Sequence, residues 1–333
     1  MWKYIIKRVL AAIPVLLGII TIVFVVLRVF SPDPAALMLG ERATAQKIAD
    51  LREYLGLEQP LIVQYGLFIK QAVTGDLGKS LMSNLPVVPE IMKRLPATIE
   101  LGLISLFTSS IFGMIIGVLS AVKHNRIFDR VSMIGGLVGI SIPGFWLSLM
   151  MIILFGVNLS WLPISGRLPM NIQLKPITGL NILDSLLTWN MPALKETLRH
   201  LVMPGIFSGI IGSAGFARLT RTTMLEVVRQ DYIRTARSKG LREATVIMKH
   251  ALKNAAIPLV TSLGMALGGV VSGSVIAESI FSWPGVGSYL VNGIGNSDYA
   301  VVQAGSLILA ASFVFVNLLV DILYGYLDPR IRY

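Results

Sequence analysis

Asp231-Tyr232-Ile233-Arg234-Thr235-Ala236-Arg237-Ser238-Lys239-Gly240 is the centre of a basic segment, Arg218 to Lys253, set between two apolar runs. The segment carries nine Lys or Arg (Arg218, Arg221, Arg229, Arg234, Arg237, Lys239, Arg242, Lys249 and Lys253) against Glu226, Asp231 and Glu243. The pattern predicts a helix, a short crosspiece and a second helix. Leu219 to Gln230 continues the preceding apolar run as a polar helix, and Asp231 to Lys239 forms a short helix that Gly240 ends by turning left-handed. Glu243 to Asn254 then runs back towards Pro258. On charge alone such a segment is a loop on the positive side of a membrane, held against anionic lipid. Its shape adds a second reading, because a crosspiece joining two spans can carry the movement of a docked partner into both.

The rest of the chain agrees with a membrane setting. It has 333 residues, 54% of them hydrophobic and only 14% charged, with a mean hydropathy of +0.73. Those values describe an all-α polytopic membrane protein rather than a soluble domain. A net charge of +11 raises the question of nucleic acid, but the charge sits in short segments beside apolar runs, with no interleaved aromatic platform. Lipid and topology account for it, and no nucleic-acid partner is expected. With no Cys, and with His124, His200 and His250 far apart in sequence, no disulfide, metal site or cofactor is expected in this chain.

Six apolar runs read as spans: Val9–Phe30, Thr98–Val122, Val131–Val157, Leu201–Ala217, Ile257–Ala277 and Tyr299–Gly325. The first is too long for a signal-peptide core and follows Lys3, Lys7 and Arg8. With both termini cytosolic, the inside segments hold seventeen of the twenty-nine Lys and Arg, and the two shorter outer loops hold only Arg167, Lys175, Lys195 and Arg199. The expected organisation is a tail and first transmembrane helix over 1–30, an extracytoplasmic helical region over 31–97, and a five-helix core over 98–333 with a cytosolic loop at 218–256. In the outer region Ile48, Leu51 and Leu55 have helical spacing that stops at Gly56, and Pro60 opens a second helix, Leu61 to Val73, that ends before Gly75. Gly75-Asp76-Leu77-Gly78-Lys79-Ser80 imitates a phosphate loop, but Val73 stands where its first glycine belongs. Gly113 with Gly117, and Gly135 with Gly139, are spaced for close helix contact.

Catalytic signatures are missing. No paired carboxylates, nucleophile elbow or intact phosphate loop is present, so no enzyme activity is expected. Asp321 is the acidic residue well inside a span, and Glu100 lies near the outer end of another, within reach of water. A proton-coupled carrier needs more than this. The energy source is therefore expected outside the chain. Between Glu278 and Ser297 lie Phe281, Trp283-Pro284-Gly285 and Gly287, with no Lys or Arg, which reads as an outer loop with an interfacial aromatic turn.

The basic segment resembles the signature loop of permease subunits of ATP-binding-cassette importers, whose Glu-Ala-Ala-x-x-x-Gly pattern forms a coupling helix. Ala236 and Gly240 match that pattern, while Arg234 and Thr235 stand in place of its Glu and first Ala. The wider wording, Asp231 to Leu241 followed by His250-Ala251-Leu252-Lys253-Asn254-Ala255 and Pro258, is similar to the dipeptide, oligopeptide and nickel branch of these permeases. So are Gly75-Asp76-Leu77-Gly78, Phe281-Ser282-Trp283-Pro284-Gly285, Val320-Asp321 and Asp328-Pro329-Arg330; Ser31-Pro32 replaces the Pro-Gly of the family's Pro-Gly-Asp-Pro turn.

The resemblance implies a type I importer permease fold in the cytoplasmic membrane and ATPase coupling through Tyr232, Thr235, Ala236, Arg237, Lys239 and Gly240. It implies an outer gate at Glu278, Phe281, Trp283, Pro284 and Gly285. It also implies a homologous second permease, two ATPase subunits that hold ATP and Mg, and a substrate-binding protein that delivers peptide from outside. Glutathione and nickel or other metal chelates are the alternative cargoes. An ion-coupled secondary transporter, dependent on Asp321 or Glu100, is the rival from another class.

Overall fold

The computed structural model describes residues 2–30, 33–40, 44–54 and 56–327. Ser31-Pro32, Leu55, Asp328-Pro329-Arg330 and Arg332 lie outside these residues. The described chain is helical, with one isolated bridge between Lys79 and Pro86. Among the described residues, five helices are long and apolar enough to cross a membrane, and a sixth span is counted if a bent pair is taken together. The chain divides into two compact units, one of residues 1–98, 271–275 and 284–333, the other of 99–270 and 276–283.

In the first unit, α1 (Trp2–Val25) runs into a π-helical turn, Val26–Phe30, and packs along α15 (Tyr299–Leu327). Arg8 meets Asp321 at 3.0 Å across this pair. Short helices follow: α2 (Pro34–Leu39), α3 (Ala45–Tyr54) and α4 (Leu61–Thr74). Gly56 at φ +65° and Gly75 at φ +74° supply the left-handed turns after α3 and α4, as their positions in sequence require. The imitation phosphate loop is a structural knot. Asp298, 1% exposed, accepts from the Ser80 hydroxyl at 2.6 Å and from the Leu81 N–H at 2.9 Å. Beneath it Leu77, Val87, Ile91, Val286, Val301, Ala304 and Leu307 form one apolar core.

Helix α5 (Val87–Val122) runs from the first unit into the second, starting well before the expected Thr98. In the second unit it lies against α9 (Met191–Val228), which also starts ahead of its expected Leu201. The glycines explain how close these helices come. A Cβ on Gly113 would fall 2.4 Å from Cβ of Phe216, one on Gly117 2.5 Å from Cβ of Thr220, and one on Gly209 2.5 Å from Cγ2 of Thr108. Gly113 and Gly117 are thus a contact stripe, as their spacing suggests. Gly135 and Gly139 have open space where a Cβ would stand; they face a cavity of about 470 Å³ bordered by Phe112, Ile116, Ile210 and Ala214.

The expected straight span Val131–Val157 is broken. Helix α6 (Ile127–Ser141) and α7 (Gly144–Met151), which continues as a π-helix to Asn158, meet at 100°. Pro143 causes the break: it has no N–H to donate, and its ring drives Ile142 out of the helical region to φ −72°, ψ 127°. After the crosspiece, α12 (Leu252–Val270) stops short of the expected Ala277, with Gly273 at φ +65° before α13 (Val275–Ile280). Then α14 (Val286–Gly295) follows in the first unit.

Candidate functional site

The basic segment folds as helix, crosspiece, helix. Helix α9 ends where Gln230 takes an extended conformation (φ −72°, ψ 150°), and α10 (Asp231–Ser238) starts at once. Residues three apart share a helix face. On α10 that face is Ile233 and Ala236, 0% and 7% exposed, packed with Ala121, Met224, Val246, Ile247, Ala251 and Ala255. The crosspiece is thereby fixed to the helices on both sides. Gly240, at φ +74°, donates its N–H to the Arg237 carbonyl at 2.9 Å and turns the chain towards α11 (Glu243–Thr245). A π-helical turn, Val246–Ala251, links α11 to α12.

Two contacts close the return. Arg237 donates to both carboxylate oxygens of Glu243, at 2.7 and 3.1 Å, which holds its guanidinium pKa above the ordinary value against the opposing effect of burial. The Tyr232 hydroxyl accepts from the Asn254 side chain at 2.7 Å. Asp231, Tyr232, Arg234, Thr235, Lys239 and Arg242 are exposed. Of the residues expected at the coupling site, Tyr232, Thr235, Arg237, Lys239 and Gly240 lie on or beside this open face. Ala236 faces the core instead, because it shares a face with Ile233. The sequence reading passed over two apolar positions on the same segment, Leu241 at 41% and Met248 at 60% exposed. Bare apolar side chains in a basic segment are the available signal for a protein partner.

Arg221 is not part of the open basic surface. It bonds Asp129 through Nε at 2.6 Å and Nη2 at 2.8 Å, and Nη2 also contacts His124 Nδ1 at 3.1 Å. Asp129 is 3% exposed and also accepts from the Asn125 N–H at 2.9 Å. This buried pair ties the start of α6 to α9 just ahead of the crosspiece.

The second candidate site is divided. Glu278, Phe281 and Trp283 belong to the second unit and are buried, at 0%, 2% and 0% exposed. Trp283 donates its N–H to the Glu278 carbonyl at 2.8 Å, the Phe281 carbonyl accepts from Gly166 at 3.0 Å, and Ser282 between them is left-handed at φ +49°. Arg167 stacks its guanidinium 5.7 Å from the Trp283 ring centre and donates from Nε to Glu100 at 2.9 Å. Glu100 is therefore not open to water, as its position near a helix end suggested: it is 3% exposed, and it also accepts from the Ile182 N–H at 2.7 Å. The loop after α7 folds Arg167 back onto it. Pro284 and Gly285 belong to the first unit, where Gly285 caps α14 and the Val286 N–H donates to the Thr98 hydroxyl at 2.8 Å.

Helix α8 (Asn181–Leu187) lies against α9 and carries Asp184, which organises the same loop. Asp184 accepts from the N–H groups of Ile177, Thr178 and Gly179 at 3.1, 2.7 and 3.0 Å and from the Thr178 hydroxyl at 2.6 Å. Burial raises its pKa, but the hydroxyl and N–H donors outweigh burial and hold it below the ordinary carboxylate range. A depressed folded pKa contributes stability above the unfolded value of about 4, and that stability is lost as pH falls through the lower folded value. Asp184→Asn is accordingly expected to make this loop protease-sensitive at neutral pH, whereas the wild-type loop opens only in acid. Limited proteolysis across a pH series checks both.

The family model described as binding-protein-dependent transport system inner membrane component matches residues 113–333, and the model for the N-terminal part of these membrane components matches residues 1–102. The dipeptide transport system permease protein of Alkalihalophilus pseudofirmus is 46% identical over the whole of both chains. The di/tripeptide transport system permease protein of Pseudomonas aeruginosa is 42% identical over 100% of this chain and 99% of its own. A glutathione transport system permease protein of Escherichia coli is 39% identical over the whole of both. Among solved structures, an inward-facing form of the MetNI methionine ABC transporter is similar with a TM-score of 0.52, covering 74% of this chain and 99% of that one at 16% identity, a likeness of fold. With two family models spanning the chain and relatives of this identity along its full length, the protein belongs to the binding-protein-dependent transport system inner membrane components.

Proposed function

We propose that this chain is the permease subunit of an ATP-driven importer that passes dipeptides or short oligopeptides across the cytoplasmic membrane. The observation that carries the cargo is full-length identity of 46% to a permease named for dipeptide transport. In this reading both termini and the Asp231–Gly240 crosspiece are cytosolic, and two ATPase subunits, which hold ATP and Mg, dock there. A homologous permease lies alongside, and a binding protein delivers peptide to the opposite side, where the Glu278–Gly285 turn forms part of the gate. The chain itself catalyses nothing.

The crosspiece supports the coupling role physically. Tyr232, Leu241 and Met248 offer apolar contact, while Lys239 and Arg242 offer positive charge to acidic rims. Ile233 and Ala236 lock the crosspiece to α9 and α12, so a push on it moves both. The ion-coupled rival loses support from the pairing of its two carboxylates, Glu100 with Arg167 and Asp321 with Arg8. Glutathione is the second reading, favoured by the 39% identical glutathione permease.

The test is uptake of labelled dialanine by cells lacking this chain but retaining its partners. Uptake is expected to vanish on deletion, return with the wild-type chain and return equally with Asp321→Asn. Uptake unaffected by deletion would overturn the proposal, and competition by glutathione stronger than by dipeptides would replace the cargo.

A further inference from the structure

The sequence puts α4 (Leu61–Thr74) in water outside the membrane, and its contacts with α1 disagree. Two contacts peg α1 to α15 at the ends of the first span. Arg8 pairs with Asp321 at one end, and at the other the Arg28 guanidinium lies 5.4 Å from the centre of the Tyr299 ring. Arg8 and Arg28 are twenty residues apart, which at about 1.5 Å per residue is about 30 Å, the thickness of the hydrocarbon of a bilayer. Tyr299 and Asp321, twenty-two apart on the antiparallel partner, measure about the same length. Helix α4 packs on α1 between these pegs. The centres of the Tyr65 and Phe68 rings lie 5.3 and 5.7 Å from that of Phe24, and the Tyr65 hydroxyl bonds Thr21 Oγ1 at 2.6 Å. Phe24 and Thr21 stand four and seven residues short of Arg28, about 6 and 10 Å inside the hydrocarbon edge. On the side of α1 turned away from α4, Ile22 and Val26 are 64% and 49% exposed at the same height, as lipid-facing residues of a span are.

The free side of α4 is apolar as well. Phe68, 4% exposed, marks its inner face. Ile62 and Val73, eleven residues or about three turns apart, share one outer edge and are 77% and 79% exposed; Val63 and Leu67, four apart, share the other at 43% and 47%. The Gln64 side chain donates to the Leu57 and Gln59 carbonyls at 2.9 and 2.8 Å, the Thr74 hydroxyl donates to the Lys70 carbonyl at 2.9 Å, and Gln71 borders the cavity beside Arg28 and Asp76. Lys70, the one charge on the helix, stands five residues before Gly75 and can snorkel to the headgroups. A helix apolar on both faces, with its polar side chains paired, suits hydrocarbon rather than water. We propose that α4 lies within the bilayer leaflet at the Arg28 end of α1, with Ile62, Val63, Leu67 and Val73 against its acyl chains. A neighbouring membrane helix would seat on small residues, and this face has Gly66 alone among branched side chains. A partner arriving from water meets the chain beyond Arg28, outside this depth.

The chain has no cysteine, so single-cysteine variants report one position each. Ile62→Cys and Leu67→Cys sample the two outer edges of α4, Ile22→Cys is the lipid control, and Lys175→Cys, at an exposed loop position, is the water control. Each variant is spin-labelled in the intact importer, reconstituted in bilayers of phosphatidylethanolamine and phosphatidylglycerol, and its relaxation is measured with oxygen and with a water-soluble nickel chelate. Ile62→Cys and Leu67→Cys are expected to follow Ile22→Cys, with high access to oxygen and low access to nickel, and Lys175→Cys to show the reverse. Nickel access equal to that of Lys175→Cys would put α4 in water and overturn the proposal. Low access to both reagents would show a protein covering this face, and overturns it too. If the labelled chains fail to assemble, alkylation of the unlabelled cysteines by a charged maleimide decides. Leu67→Cys is expected to react about tenfold or more slowly than Lys175→Cys, because apolar surroundings disfavour the thiolate, and equal rates count against the proposal.

Discussion

Gly240→Pro is expected to abolish ATP-dependent uptake while leaving the chain inserted and associated with its partner permease. The native φ of +74° is closed to proline, and the substitution removes the N–H that bonds the Arg237 carbonyl at 2.9 Å. The local cost is about 3 kcal/mol or more. It falls on the exit from the crosspiece and leaves intact the core of Met224, Ile233, Ala236 and Val246 that seats α10. The turn to α11 must then change direction, which shifts Leu241 and opens the Arg237–Glu243 pair. Gly240→Ala isolates the conformational part, since a left-handed non-glycine residue costs about 1–2 kcal/mol; it should reduce uptake without eliminating it. Dialanine uptake, normalised to permease recovered in the assembled complex, checks the series. Wild-type uptake by an assembled Gly240→Pro chain would remove the crosspiece from the transport mechanism.

Arg221→Met is expected to have the largest effect on folding. It leaves the Asp129 carboxylate 3% exposed and without its guanidinium partner. Breaking a buried pair from one side costs about 3–5 kcal/mol, whereas replacing both members can be close to neutral. Asp129→Asn combined with Arg221→Met should therefore recover much of the loss, because asparagine still accepts from the Asn125 N–H. Thermal unfolding and membrane yield of the two single variants and the double variant form the required cycle. Additive losses would show that the pair has no coupling and that the α6 start is held by other contacts.

The parts of the fold written in local sequence were legible. Gly56, Gly75 and Gly240 each end a short helix at the expected place, because a left-handed stop is a property of a few neighbouring residues. The crosspiece was legible for the same reason. Pairings across long separations were not. Nothing in the order of residues joins Arg167 to Glu100 or Arg221 to Asp129, so Glu100 looked accessible and Arg221 looked like one more surface cation. The break at Ile142-Pro143 was hidden by hydropathy, which measures transfer of side chains and is blind to backbone direction. Ala236 shows a finer limit: motif resemblance marked the position, but only its face, shared with Ile233, shows that it packs inward.

Whether the Asp231–Gly240 crosspiece seats an ATPase is read by site-specific photo-crosslinking in native membranes. A photoreactive residue is placed at Thr235, on the open face, and in a separate chain at Lys175, in the loop assigned to the opposite side of the membrane. Captured proteins are identified by mass spectrometry. An ABC ATPase is expected to be captured from Thr235 and none from Lys175. Capture of lipid alone at Thr235, from a complex that still contains its ATPases, would contradict it.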